Sequence, residues 1–252
     1  MKKFQDHFYM LLDKFKAKEN FAYSRFSDGE LRIMQNKELV LAQDHYKIGD
    51  QKVKAAYHPE DHKHFDPAKH QHIRKKLMDS YEHLQHNYYV GLSCRCCVGD
   101  ADFHQMLRWY KGDPNSDNLT WANLWVNGNF PLFRTYMVPE FSNRKIVYIV
   151  NEKANIAGLP FHVERDFRIG ENCIVNNYGM EKEIGQWIEE NNVKNYVFLF
   201  SASSLSNMLI YELFKKYPDN TYIDIGTTLN DYLGMKGLRG YLTGSNRKVC
   251  IW

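Results

Sequence analysis

The sequence predicts an α/β fold, a Rossmann-like and mostly parallel sheet with helices on both faces. Three observations carry this. Apolar runs at 88–93, 146–150, 196–200 and 222–225 read as strands buried on both sides. Segments of helical periodicity alternate with them. The turns Ser201-Ala202-Ser203-Ser204 and Gly226-Thr227-Thr228 directly follow two of the strands, where such sheets carry their ligand loops.

The elements follow in order. A first helix is expected over 6–18, with Phe4, Phe8, Leu11, Leu12 and Phe15 in one apolar stripe. A strand at 21–26 runs into Ser27-Asp28-Gly29-Glu30, and Leu31, Ile33 and Met34 start another helix. Residues 43–72 are polar and histidine-rich and read as loops, with a helix over 67–85. The strand at 88–93 ends in Cys94, Cys96 and Cys97, and 103–110 is helical. Gly112-Asp113-Pro114-Asn115-Ser116 marks a loop. The stretch 121–136 is aromatic and irregular, and no element is assigned to it. Beyond the strand at 146–150 come a short strand at 173–176, a helix at 182–191, the strand at 196–200, a helix to Lys216 and the last strand. No linker or repeat divides the chain, so one domain is expected over 1–252.

Composition narrows the function classes. Of the 252 residues, 44% are apolar, which suits a packed core. The 33 basic and 30 acidic side chains leave a net charge of +3, too balanced for bulk binding of nucleic acid. No signal peptide or transmembrane run is evident, so a cytoplasmic protein is expected. Five cysteines then read as reduced thiols. Cys94 and Cys97 have CxxC spacing but no second pair, so inert thiols are favoured over zinc or redox chemistry. The histidines between His58 and His86 are irregularly spaced and read as a solvated surface. No nucleophile elbow, P-loop or dinucleotide fingerprint is present.

Three constellations carry chemistry. In Arg25-Phe26-Ser27-Asp28-Gly29-Glu30, the two carboxylates lie two residues apart and would share a side in extended chain. Such oxygen donors suit Mn²⁺ or Mg²⁺, Gly29 permits a tight turn, and Arg25 can fork onto phosphate or lock a carboxylate. Ser27 and Glu30 equally fit a capping box, and spacing alone favours the cap. The turn Ser201, Ser203, Ser204 before a helix can offer amides to phosphate, with simple N-capping favoured. Asp224, within an apolar strand that runs into Gly226 and Thr227, can hold a ribose or orient a loop by accepting amide hydrogen bonds, or simply bond to neighbouring backbone.

The run from Tyr23 to Leu31 resembles the Arg-Phe-Gly-Asp-Gly-Glu-Leu opening of the GT-D-type glycosyltransferases, a bacterial family associated with glycosylation of serine-rich surface adhesins. The 198–214 segment resembles that family's strand, small-residue turn and helix. The 222–232 segment is similar to its Ala-Ile-Asp-Ile-Gly-His-x-Asp-x-Glu-Tyr run. The apolar strand before Asn151-Glu152-Lys153 stands where the family has a strand followed by Glu-Gly. Ser27 and Thr227 replace a usual Gly and His, and the turn at Ser201 lacks the family's Gly and Pro.

The resemblance implies a metal-dependent transferase using a nucleotide-sugar, a UDP-sugar in that family. Asp28 and Glu30 would hold a divalent ion, usually manganese, beneath the diphosphate. Arg25, Lys153 and the amides near Ser203 would share the charge of the leaving group, and Asp231 or Glu30 would serve as base. The implied partners are the donor and a glycan, glycoprotein or glycolipid acceptor, with a homodimer compatible. Two rival readings are a Rossmann-like methyltransferase, although its glycine-rich first turn is missing, and a non-catalytic nucleotide- or glycan-binding module.

Overall fold

The computed structural model of the chain describes residues 3–42, 45–54, 62–236 and 239–243. His58, part of the histidine-rich reading, lies outside the described residues, as does Cys250.

Helix α1 (Phe4–Lys16) presents the expected stripe, and Phe4, Phe8, Leu11, Leu12 and Phe15 are all buried. Strand β1 (Ala22–Phe26) leads into α2 (Asp28–Met34). Four short strands follow, β2 (Leu39–Leu41), β3 (His45–Ile48), β4 (Gln51–Lys54) and β5 (Lys63–Phe65). After α3 (Gln71–Glu82) and β6 (Tyr88–Leu92) come α4 (Arg95–Val98), α5 (Asp100–Trp109) and β7 (Leu119–Trp121). The aromatic stretch is irregular, as expected: a 3₁₀ turn, the short α6 (Phe130–Leu132), a π-helical turn over Phe133–Met137 and a 3₁₀ helix over Val138–Asn143. The remainder alternates as β8 (Ile146–Asn151), β9 (Arg165–Ile169), α7 (Cys173–Asn176), α8 (Met180–Glu190), β10 (Val197–Phe200), α9 (Ser204–Lys216) and β11 (Thr221–Asp224).

Seven strands form one sheet in the order β7-β6-β1-β11-β10-β8-β9, and every neighbouring pair is parallel. The mostly parallel α/β fold is therefore confirmed. Two-residue alternation explains its two cores. In β8, Val147 and Ile149 face one apolar cluster, and Ile146, Tyr148 and Val150 face the other. In β10, Phe198 and Phe200 share the first cluster, Val197 and Leu199 the second. The first cluster is covered by α3, α5, α8 and α9, whose buried residues include Ile73, Met106, Ile184 and Leu209. The second is covered by α1 and the aromatic stretch. There Trp125 is fully buried, with ring centroids 5.5 Å from Phe8 and 5.3 Å from Tyr23.

Several expectations need correction. The region taken as loops holds β2–β5, a four-stranded antiparallel sheet of order β4-β3-β2-β5. Its strands have only three or four residues each, too short to show a period within a segment rich in Lys and His. Residues 173–176 are helical, not a strand. Four residues are too few to show a period, and Asn172, with φ 47°, turns the chain so that the amides of Asn176 and Asn177 bond back to Asn172 and Cys173. Strands β7 and β9 were not expected. β9 buries only Phe167 and Ile169 between charged residues, the pattern of an edge strand. No described helix is long and apolar enough to cross a membrane.

Candidate active site

The carboxyl ends of all seven parallel strands open onto one cleft of about 670 Å³. Its walls include Ser27 after β1, Ser93 after β6, Asn123 after β7, Asn151 of β8, Gly170 after β9, Ser201 after β10 and Asp224 of β11. The small sheet closes the other side with Leu39, Leu41, Tyr46, Ile48 and Lys63. From β1 the chain fills β6 and β7 on one flank, and the later strands fill the opposite flank. The strand order thus reverses beside β1, where doubly wound sheets place their ligands.

Arg25 and Asp224 sit at this switch point. The Arg25 Nε donates to the Ala122 carbonyl at 2.5 Å, and its Nη1 stands 3.6 Å from Asp224 Oδ1. Both side chains are largely buried. Asp224 also accepts the Gly226 amide at 2.9 Å, so it orients the loop after its own strand. Burial pushes the Asp224 carboxyl up to about 6, against the opposing pull of Arg25, while Glu30 adds to the rise. Gly226 has φ +54°, and a Cβ there would lie 2.3 Å from Arg25 Nη1. Glycine is needed twice over, for the backbone and for the guanidinium.

Asp28 and Glu30 both line the cleft but do different things. They lie in the first turn of α2, not in extended chain, and residues two apart on a helix do not share a face. This corrects the expectation of two parallel carboxylates. Glu30 turns inward and is 7% exposed. Its Oε2 accepts the Ser27 amide at 2.9 Å, forming the capping box that the spacing favoured. Its Oε1 accepts from the Ser204 hydroxyl at 2.5 Å. Asp28 is exposed in the cleft, and among the described residues its carboxylate has no hydrogen-bond or ion-pair partner.

Lys63 completes this cluster and was missed in the sequence. Its Nζ donates to Ser204 Oγ at 3.0 Å and lies 3.8 Å from Glu30 Oε1. It is 6% exposed. The only sequence signal was its place two residues before Phe65, on the inward face of β5. Tyr241, also missed, shares a 2.6 Å hydrogen bond between its hydroxyl and Thr227 Oγ1.

The serine turn divides by role. Ser201 Oγ donates to the Gly226 carbonyl at 2.6 Å and meets the Tyr148 hydroxyl at 2.8 Å, linking the loops after β10 and β11 to β8. Ser203 lines the cleft as N-cap of the 13-residue α9, with φ 50° and ψ −145°. That conformation is costly for a residue with a Cβ. Ser203→Gly is expected to raise unfolding stability by about 1 kcal/mol. Equilibrium denaturation of the two proteins checks this; an unchanged or lower stability contradicts it. Ser204 is buried behind the turn and serves Glu30 and Lys63.

Two expected residues are not brought to the cleft. Asp231 lies outside its walls, with its carboxylate 2.5 Å from Arg134 Nη1, whose guanidinium stacks on Tyr232. Lys153 stays at the rim, exposed, with its Nζ 3.8 Å from Glu171 Oε1.

The donor set suits a hard divalent cation in chemistry: two carboxylates on adjoining surfaces of one cleft, one of them open. Lys63 offsets part of that negative charge, since its ammonium lies 3.8 Å from Glu30 Oε1. Lys63→Ala is therefore expected to bind Mn²⁺ about tenfold more tightly than the native chain, with a larger Mn²⁺-induced rise in Tm. Equal affinities by calorimetry would show that the ammonium and the ion do not share this place.

The architecture is similar to that of solved structures described as glycosyltransferases or as having a glycosyltransferase fold. A solved structure described as a new glycosyltransferase (DUF1792) from Streptococcus sanguinis matches with a TM-score of 0.57 at 13% identity, covering 96% of this chain and 85% of its own. Another, described as the highly conserved domain of unknown function 1792 with a distinct glycosyltransferase fold, matches with a TM-score of 0.56 at 13% identity, covering 97% and 83%. At this identity the likeness extends to the fold. No family model and no curated protein matches the chain.

Proposed function

We propose that this chain is a GT-D-type glycosyltransferase that moves a hexose from a UDP-sugar to the hydroxyl of a glycan, glycoprotein or glycolipid. The observation that carries the reading is one cleft at the switch point holding Asp28, Glu30, Lys63, Arg25 and the start of α9 together. A diphosphate needs such a mixture: cations and amides for its oxygens, and carboxylates for an accompanying ion.

In this reading Asp28 and Glu30 hold Mn²⁺ or Mg²⁺, which when bound supplies positive charge to the departing diphosphate. The chain's own groups supply the rest. Lys63 and Arg25 bring fixed positive charge, and Ser203 at the start of α9, the positive end of that helix's dipole, lines the same cleft. Gly226 lets Arg25 approach the loop after β11, and Asp224 fixes that loop against the guanidinium. Tyr46, Leu39 and Ile48 offer an apolar wall to a base or sugar ring.

Release of free nucleotide from a panel of nucleotide-sugars, with Mn²⁺ present, tests the reading. Turnover of at least one UDP-sugar supports it; a flat panel with adenosylmethionine binding instead would move the chain to the methyltransferases.

Donor affinity should also follow Asp224. Its carboxyl titrates at about 6, so below that pH it is neutral while Arg25 stays charged. The cleft becomes more positive as pH falls. UDP-sugar is therefore expected to bind about fivefold more tightly at pH 5.5 than at pH 7.5, and Asp224→Asn should flatten the profile. A flat native profile, or a slope retained in the variant, would contradict this.

A further inference from the structure

We infer that Cys94, Cys96 and Cys97 form a trithiolate site for a soft, thiophilic cation of the Zn²⁺ class, at the β6 edge of the cleft and separate from the carboxylates. Cys94 caps the turn after β6, and the amides of Cys97 and Val98 bond back to its carbonyl at 3.0 and 3.2 Å. One helical turn therefore brings the first and fourth residues of the CxxC spacing together. The thiol of Cys94 lies 2.9 Å from that of Cys96 and 3.3 Å from that of Cys97, and all three sulfurs lie within 4.8 Å of one another.

The spacing that looked incomplete in sequence is completed by the intervening Cys96. A Zn–S bond of about 2.3 Å in a tetrahedral site separates sulfurs by roughly 3.8 Å. The sulfurs need to open by less than about 1 Å to accept such an ion. Exposure suits entry: Cys94 is buried, Cys96 and Cys97 reach solvent, and Cys94 and Cys97 line the cleft. The adjacent cation does not oppose binding, because Arg95 is engaged by Asp100 at 3.5 Å and by the Phe103 ring at 5.0 Å. Thiolate sulfur selects soft ions over the Mn²⁺ or Mg²⁺ suited to carboxylates. Three protein ligands would leave a bound ion a fourth position for solvent or an exogenous ligand. Each ligating thiol releases its proton to solvent, and no electron moves.

The test uses the full chain, reduced with a phosphine and titrated with Cd²⁺. The thiolate-to-cadmium charge-transfer band in the ultraviolet is followed, and Zn²⁺ then competes. One equivalent should saturate the band, and Zn²⁺ should displace it. Cys94→Ser, Cys96→Ser and Cys97→Ser should each weaken binding by at least about tenfold. Cys173→Ser, whose thiol donates to the Ala202 carbonyl instead, should leave it unchanged. If Cys94→Ser fails to fold, the exposed Cys96 and Cys97 variants decide the matter. No band at one equivalent, a band that survives in the Cys96 and Cys97 variants, or a Cys94–Cys97 disulfide that forms in mild glutathione buffer in place of metal binding overturns the proposal. Histidine-bound metal cannot mimic the result, because it gives no thiolate band.

Discussion

Asp28→Asn is expected to lower kcat for sugar transfer by about a hundredfold to a thousandfold while leaving the fold intact. Asp28 is exposed in the cleft and carries none of the contacts that hold α2 in place. Those belong to Glu30, Ser27 and Ser204. Removing the charge of Asp28 therefore removes chemistry and not structure. The amide keeps the shape and one oxygen, so donor KM should rise less than kcat falls. Steady-state kinetics with a competent UDP-sugar, alongside a thermal melt, measure both. A native melting temperature with native kcat would remove Asp28 from the mechanism.

Glu30→Gln provides the contrast. It should cost activity and stability together, because the buried side chain satisfies the Ser27 amide, the Ser204 hydroxyl and the Lys63 ammonium at once. The two variants separate a carboxylate with no structural contacts among the described residues from one that also holds its neighbours.

Arg25→Ala is expected to destabilise the fold by about 3 kcal/mol at neutral pH, because it leaves Asp224 as a buried carboxylate without its counter-charge. The sign of the pH dependence follows from Asp224. Its folded value, about 6, already lies above the usual carboxylate range, and losing Arg25 raises it further. The folded state then holds a proton that the unfolded chain gives up. Stability falls as pH rises from the unfolded value through the folded one, and it is regained on acidification. The deficit of Arg25→Ala should therefore be largest at pH 7.5 and shrink by pH 5. Denaturant melts at both pH values check it. A deficit independent of pH would mean that the loss is packing around Ala122 and Gly226, not charge.

The central sheet was legible because β6, β8, β10 and β11 are buried on both faces and read as predominantly apolar runs. The edge strands were not. β7 has three residues, and β9 buries only one side, so neither produces such a run. The serine turn, Asp224 and Gly226 could be placed at one edge, because each follows a legible strand. Arg25 could be read as locking a carboxylate, but its partner is two hundred residues away in sequence and only the parallel register of β1 and β11 brings them together.

The site's other half was hidden for the same physical reason as the small sheet. Lys63 lies on a three-residue strand in a polar segment, and nothing local distinguishes it from a solvated lysine. Its burial against Glu30 and Ser204 follows from how the two sheets face each other. Asp28 and Glu30 were found but given the wrong geometry. The capping box that the spacing favoured is what turns Glu30 inward, with Oε2 on the Ser27 amide and Oε1 on the Ser204 hydroxyl. Asp231 was drawn in by its place beyond Asp224, yet Arg134 holds it outside the cleft.

Backbone hydrogen exchange with and without a UDP-sugar and Mn²⁺ tests the central claim most directly. Bound donor should slow exchange at residues 201–205, at 225–228 and in the first turn of α2, the three segments that meet at the reversal of strand order. Protection confined to other surfaces, or none at saturating donor, would contradict a nucleotide-sugar site at that edge.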